Sequence, residues 1–372
     1  MTRILKEMIP SWSSLLSDSS FDESKLTIQP MTGGITNVVY LLEYGDSDRL
    51  VVRLYGCSTE LFINREVDNI IFSSLSKLNI APTYYGIFQN GRIEGFIPAR
   101  ALTPELMYET SVYPRIATAL GVFHSQNIEE LDKTNVVLWD KIQSFFAIAL
   151  GVVATNGALR DKAASYNIHL ENMQMEMNSM TQKINKLREY IKSKGKDVDE
   201  YEAGVGFALD ISLCHNDLLC GNILLDKSIP NPVPSVVTTE TQTGGVTLID
   251  FEYGGYNYRG FDIANHFCEY SGFEFDLRNK FPCKSKRISF IRHYLKAASS
   301  PSATQGGTAF YDGFDDVLCY LTLASHLYWG TWSVAQAGVS SIDFDYLYYG
   351  KQRYEGFQYH KSIFLLNKFD FL

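Results

Sequence analysis

The sequence predicts an α+β fold of two lobes, a small β-rich N-terminal lobe and a larger, mainly helical C-terminal one. Three observations carry this. The chain has 372 residues, about two domains' worth of length. Short β-rich runs between turn signals fill the first hundred residues. Helical spacing dominates afterwards.

In chain order, residues 26–28, 38–42 and 50–54, then 84–88 and 91–97, are the β-rich runs of a small antiparallel sheet. Leu61, Arg65, Val67, Ile70, Ile71, Leu75 and Leu78 recur between them at near-helical spacing, which inserts one helix into that sheet. Pro98 breaks the strand pattern. Further on, Met173, Met177, Met180, Ile184, Leu187 and Ile191 step by fours and threes, giving one apolar stripe on a helix that Gly195 stops. Such a stripe reads as a packed face or helix seam, not a ligand box. Residues 228–245, rich in Pro, Thr and Ser and without period, read as a mobile surface loop between two strands.

With 45% hydrophobic and 20% charged residues the chain is globular, neither disordered nor collagenous. A net charge of -9 without a dense basic stripe argues against a nucleic-acid or anionic-membrane binder. Six scattered cysteines without a Cys-x-x-Cys pair, and no apolar leader, read as reduced thiols of a soluble, cytoplasmic protein. The longest apolar run, residues 145–154, is well short of the roughly 20 residues that span a bilayer.

Four polar signals are strung along this frame. Met31-Thr-Gly-Gly-Ile-Thr-Asn37 is a turn whose glycines let backbone approach a ligand, though by itself it is no more than a hairpin. Val51-Val-Arg-Leu54 puts one cation on a strand, with Glu66 downstream as a helix carboxylate to pair with it. In a kinase-like small lobe that cation orients nucleotide phosphates. In Ile211-Ser-Leu-Cys-His-Asn-Asp-Leu-Leu-Cys-Gly-Asn-Ile-Leu-Leu225, Asn222 follows Asp217 by five residues between apolar strands. At that spacing kinases place a carboxylate that handles the hydroxyl proton and an amide that ligates magnesium. Finally, Val246-Thr-Leu-Ile-Asp-Phe-Glu252 ends a buried strand in Asp250, where a carboxylate would hold Mg²⁺ on the nucleotide phosphates. Each signal has a bland reading, but together they supply a kinase's requirements in chain order.

Cys214-His-Asn-Asp-Leu-Leu-Cys-Gly-Asn-Ile-Leu-Leu225 and Leu248-Ile-Asp-Phe-Glu-Tyr-Gly-Gly-Tyr-Asn-Tyr-Arg-Gly-Phe-Asp-Ile-Ala-Asn-His-Phe-Cys-Glu-Tyr270 closely resemble the choline/ethanolamine kinase family. Weaker similarity extends over most of residues 25–362. The resemblance implies a protein-kinase-like fold, with residues 1–98 as the ATP-binding lobe, a hinge at 94–98, and residues 99–372 as the catalytic and acceptor-binding lobe. It implies transfer of the γ-phosphate of ATP, with Mg²⁺, to the hydroxyl of choline, the first step toward phosphatidylcholine. Carried over residue by residue, Asp217 is the catalytic carboxylate facing the alcohol, Asn222 and Asp250 are the magnesium ligands, and Arg53 is the phosphate cation. Gly33, Gly34, Thr36 and Asn37 cap the phosphates, and Glu94, Gly95 and Ile97 match the hinge whose main chain bonds adenine. One departure is Leu219 and Cys220, where relatives commonly carry Gln or Glu.

A trimethylammonium group has no N–H to donate and is held by aromatic faces near a carboxylate, each face contributing roughly 0.5 to 2 kcal/mol. With the resemblance, Trp329 and Trp332, three apart on one helix, Tyr349 and Glu269 read as that cage. Ethanolamine is the alternative acceptor, because a primary ammonium prefers hydrogen-bond acceptors to aromatic faces. An aminoglycoside-type phosphotransferase would need a broader acidic pocket, and an inactive scaffold would lack the polar set. His124, His293 and His326 read as structural, and Cys214 and Cys220 as packing thiols. No nucleic-acid or integral-membrane contact is expected, and a homodimer is allowed by the resemblance.

Overall fold

The computed structural model describes residues 9, 12, 22–31, 37–45, 48–56, 59–230, 233, 243–272, 274–298 and 306–364. Strands β1 (Leu26–Met31), β2 (Asn37–Tyr44), β3 (Asp48–Tyr55), β4 (Tyr84–Phe88) and β5 (Gly91–Gly95) form an antiparallel sheet in the order β1-β2-β3-β5-β4. The fifth run stops at Gly95, two residues short of its sequence expectation. Helix α1 (Arg65–Lys77) is inserted between β3 and β4 as its spacing predicts. Asn64 caps it by accepting the amides of Glu66 and Val67, which satisfies two donors that a helix start leaves over. Ile71, Phe72 and Leu75 bury its inner face, while Leu42, Leu50, Val52 and Ile93 build a second small core with Ile9 and Trp12.

From β6 (Ala99–Ala101) onward helices dominate: α2 (Pro104–Tyr108), α3 (Tyr113–His124), α4 (Val137–Thr155), α5 (Gly157–Ser165), α6 (Leu170–Lys194) and α7 (Glu200–Ala208). Two small sheets follow, β7 (Ile211–Cys214) with β10 (Gly255–Tyr258), and β8 (Ile223–Asp226) between β6 and β9 (Val246–Leu248). The chain continues through α8 (Arg259–Glu269), α9 (Leu277–Lys280), α10 (Lys284–Ala297), α11 (Thr308–Val339) and α12 (Tyr346–Ile363). Helix α11 is buried over most of its length, and α4, α7, α8 and α12 pack around it. Where α7 crosses it, a Cβ on Gly204 would lie 2.0 Å from the Phe310 carbonyl oxygen, and one on Gly313 would lie 2.1 Å from that of Tyr201. Glycine is what lets these two backbones touch.

Helix α6 buries Met173, Met177, Met180, Ile184 and Leu187, so the stripe is core, and Gly195 ends it at φ +57°. Helix α4 is long and apolar enough, by length and composition alone, to cross a membrane. In the fold its Ile142, Phe145, Phe146 and Ala149 are core residues. Strands β8 and β9 flank the 228–245 segment as expected, but residues 231–232 and 234–242 lie outside the described residues. Cys214, Cys220, Cys268, Cys283 and Cys319 are free thiols, and Cys57 lies outside the described residues.

Candidate active site

The loop between β7 and β8 is held from behind by one face of α8. Asp262 accepts the amides of His215 at 2.6 Å and Asn216 at 2.8 Å, Asn265 donates to the Asn216 carbonyl at 3.2 Å, and His266 Nδ1 meets the Leu218 carbonyl at 2.8 Å. Asn216 sits in the left-handed region at φ +64°, and its amide donates to the Tyr253 carbonyl at 3.0 Å. Asn tolerates that conformation better than other non-glycine residues. Asp262, Asn265 and His266 stand at i, i+3 and i+4, a spacing that puts them on one helix face. Sequence reasoning passed over this readable signal.

Asp262 is fixed in turn by His124 Nε2 at 2.9 Å, whose Nδ1 meets the Tyr294 hydroxyl at 2.8 Å. His124, Cys214 and Asp262 have donor atoms within 4.8 Å of one another, a grouping that could hold a metal ion. Both His124 nitrogens and both Asp262 oxygens are already engaged, so the cluster is a structural clamp, as expected for His124. His326 is likewise structural, its Nε2 meeting His360 Nδ1 at 2.9 Å between α11 and α12.

On the open side of the loop, Asp217 is pushed well above the usual carboxylate range by burial, with the Glu269 and Asp250 charges adding to it. Asn222 donates its amide to the Asp217 carbonyl at 2.8 Å, and its Nδ2 lies 3.4 Å from Asp217 Oδ2. Asp250, at φ +67°, accepts from Arg53 Nη1 at 3.1 Å. Against the pull of burial, Arg53 and then Arg92 hold it below the usual carboxylate range. The three predicted catalytic side chains are therefore brought to one site with two different proton affinities.

The partner of Arg53 corrects a sequence expectation. Glu66 is exposed at the start of α1, and Arg53 pairs instead with Glu94 Oε1 at 2.9 Å as well as with Asp250. The same Glu94 oxygen accepts from Arg92 Nε at 2.6 Å, and Arg92 also pairs with Asp68 of α1 at 2.7 Å. Glu94 is registered between Val51 and Tyr84, so its peptide lies within the sheet ladder, and its side chain carries the pairs to Arg53 and Arg92. Gly95 donates to the Thr83 carbonyl at 2.7 Å, and the Ile97 carbonyl accepts from Ala99 at 2.8 Å. Asn37 donates to Glu252 Oε2 at 2.8 Å, and Arg65 joins that pair from α1. The sequence reading gave neither Glu252 nor Arg65 a role at the site. Gly33, Gly34 and Thr36 lie outside the described residues.

Beyond Asp217, a cleft is lined by Leu219, Cys220, Glu269, Phe275, Tyr349 and Arg353. Apolar Leu219 and the Cys220 thiol are part of that lining. Trp329 is turned inward, its Nε1 donating to Asn265 Oδ1 at 2.8 Å, while Trp332 Nε1 donates to the Tyr253 hydroxyl at 2.9 Å. Ring centroids of Trp329 and Trp332 lie 5.4 Å apart, and those of Trp332 and Tyr349 lie 6.5 Å apart, so the aromatic wall is continuous. Of the three rings only Tyr349 lines the cleft, and Trp332, buried, packs behind it. Tyr253, Phe275 and Arg353 are further members that sequence spacing did not reveal.

The family model described as Choline/ethanolamine kinase matches residues 28–358. The chain is 34% identical, over 93% of its length and 88% of the relative's, to a protein named probable ethanolamine kinase A from Dictyostelium discoideum. It is 30% identical, over 95% of its length and 91% of the relative's, to one named probable choline kinase 2 from Arabidopsis thaliana. Among solved structures, that of a choline kinase from Cryptosporidium parvum superposes with a TM-score of 0.72 at 24% identity, covering 99% of this chain and 96% of that one. With an N-terminal sheet, a helical remainder and a match over nearly its whole length, the chain has the two-lobed protein-kinase-like fold and belongs to the choline/ethanolamine kinase family.

Proposed function

We propose that this chain transfers the γ-phosphate of ATP to the hydroxyl of choline. The observation that carries the proposal is Asp217, a buried carboxyl of raised proton affinity that has Asp250, paired with Arg53, and Glu269, on the wall of the aromatic cleft, as its charged neighbours. Asp217 is placed to accept the hydroxyl proton, Asn222 holds it by the main chain, and Arg53 offers the phosphates a cation that Glu94 keeps in place. The amide oxygen of Asn222 and the carboxylate of Asp250 are hard oxygen donors that fit Mg²⁺, which would supply charge neutralisation at the phosphoryl oxygens. Asp250→Ala and Asn222→Ala are expected to weaken Mg²⁺-dependent nucleotide binding as well as turnover, with at most partial recovery in excess metal. ADP titrations at several Mg²⁺ concentrations check this, and an unchanged Mg²⁺ dependence would remove both residues from the metal site.

For the acceptor, Tyr349→Ala is expected to raise the KM for choline about thirtyfold, the equivalent of one desolvated aromatic face worth roughly 2 kcal/mol, and Trp332→Ala, which removes the ring behind it, to raise it by less. The KM for ATP should hardly move, because a cage wall binds ground and transition state alike. Ethanolamine is the second reading, favoured by the Glu269 carboxylate of the cleft as an acceptor for N–H donors and by the relative at 34% identity named probable ethanolamine kinase A. Steady-state competition between the two alcohols decides. If the substitutions lowered thermal stability yet left the choline KM within about twofold, the rings would be packing residues and ethanolamine the better reading.

A further inference from the structure

Arg353 is buried, with 1% of its side chain exposed, four residues after Tyr349 on α12. Its Nη1 donates to Glu269 Oε1 at 3.2 Å, and its Nη2 donates to the hydroxyl and carbonyl of Ser325 at 2.9 and 3.3 Å. The Ser325 hydroxyl donates to Asn265 Oδ1 at 2.7 Å, the same oxygen that takes Trp329 Nε1. Asn265 in turn donates to the carbonyl of Asn216, next to Asp217. The guanidinium is therefore tied by successive buried hydrogen bonds to the helix that clamps the catalytic loop, and it meets Glu269 at the wall of the cleft.

The charges near Glu269 can be counted. Asp217 faces it from the catalytic loop and Cys220 from the turn after it, Arg353 and Tyr349 from α12, and Cys268 from its own helix. Glu105 of α2 lies beyond Cys220. His326 and His360 flank Arg353, and burial pushes both downward, so they add no charge near neutral pH. When both carboxyls are ionised, two carboxylates and one guanidinium leave one net negative charge, the complement of a single ammonium. Without the guanidinium, Glu269 would stand near Asp217 with no cation beside it, and proton uptake by Glu269 would be favoured. Burial raises Glu269 already, and Arg353 is what opposes it.

We propose that Arg353 is the positioning and charge-setting residue of the acceptor site, keeping Glu269 ionised and turned to the cleft so that it can receive the acceptor's ammonium group. The inference rests on the reading of the cleft as an amino-alcohol site. It makes Glu269 a carboxylate shared between a permanent cation of the protein and a transient one of the substrate.

The test is the pH dependence of the alcohol KM in Arg353→Met and Arg353→Lys, with choline and ethanolamine as probes and the KM for ATP as control. In Arg353→Met the alcohol KM should rise as pH falls through the raised Glu269 pKa and the carboxylate becomes neutral, approaching a tenfold change per unit below it. Wild type and Arg353→Lys should stay within about twofold over the same fall in pH, with the ATP KM steady throughout. A pH-independent alcohol KM in Arg353→Met, or an ATP KM rising in parallel, overturns the proposal in favour of a packing role.

Glu269→Gln keeps the test open should Arg353→Met fail to fold. That variant leaves the buried guanidinium beside the ammonium without its carboxylate, so its alcohol KM should rise at every pH, and adding Arg353→Met, which removes the stray charge, should lower it again while the ATP KM stays steady. An alcohol KM in Glu269→Gln equal to that of wild type, or one that the second substitution does not lower, overturns the proposal. If wild type neither binds nor phosphorylates either alcohol, the amino-alcohol reading falls and this inference with it. If it does and the variants behave as packing mutants, this inference falls alone.

Discussion

Asp217→Asn is expected to lower turnover by about 10² to 10⁴, the usual contribution of a positioned acid–base group, while nucleotide binding and the fold persist. The substitution keeps shape and removes only proton affinity. The loop does not depend on the Asp217 side chain for its path, because Asp262, Asn265 and His266 hold its backbone and Asn222 bonds the Asp217 carbonyl. Burial, with Glu269 and Asp250 nearby, gives Asp217 a raised proton affinity, and a base works only in its ionised form. Wild-type kcat should therefore fall as pH drops through that raised pKa, and Asp217→Asn should lose this acid limb together with its activity. Residual activity above about a tenth of wild type would show that the proton is handled elsewhere.

What the sequence makes legible is local. The strand runs, the inserted helix and the methionine stripe are each set by residues within one or two turns of one another, and they form where expected. The Asp217, Asn222 and Asp250 constellation is legible for the same reason, since strand–loop–strand spacing fixes it. The partner of Arg53 was hidden because it depends on register. Arg53 on β3 stands directly opposite Arg92 on β5, a like-charge pair that destabilises a sheet unless a carboxylate intervenes. Glu94, two residues on and on the same face, supplies it. On α1, the carboxylate turned inward is Asp68, not Glu66, and Arg92 takes it. Similarly, Tyr253 meets Trp332 across 79 positions of sequence, a contact that no spacing rule reaches. An arginine four after Tyr349 looks like a solvent-facing residue until α12 is laid against α8 and α11.

Glu94→Gln tests that buried network and should be among the most destabilising single substitutions in the chain. One oxygen of Glu94 accepts from both Arg53 and Arg92, whose side chains are 7% and 0% exposed, respectively. The amide that replaces it carries no charge, so two adjacent guanidiniums would share Asp68 and Asp250 alone. Removing one partner of a buried ion pair costs about 3 to 5 kcal/mol, because the remaining charge stays desolvated. Denaturant unfolding at neutral pH should show a loss of that order, and the KM for ATP should rise as Arg53 loses its inner support. Burial alone would raise the Glu94 carboxyl, but Arg53 and Arg92 together hold it below its ordinary value. A depressed folded-state pKa contributes stability above the unfolded value and loses it as pH falls through the folded one. The gap between wild type and Glu94→Gln should therefore close in acid, below about pH 4. Glu66→Gln, at an exposed position, should stay within about 0.5 kcal/mol of wild type at any pH. If Glu94→Gln matched it, Arg53 would be held by Asp250 alone, and the β5 carboxylate would have no part in presenting the phosphate cation.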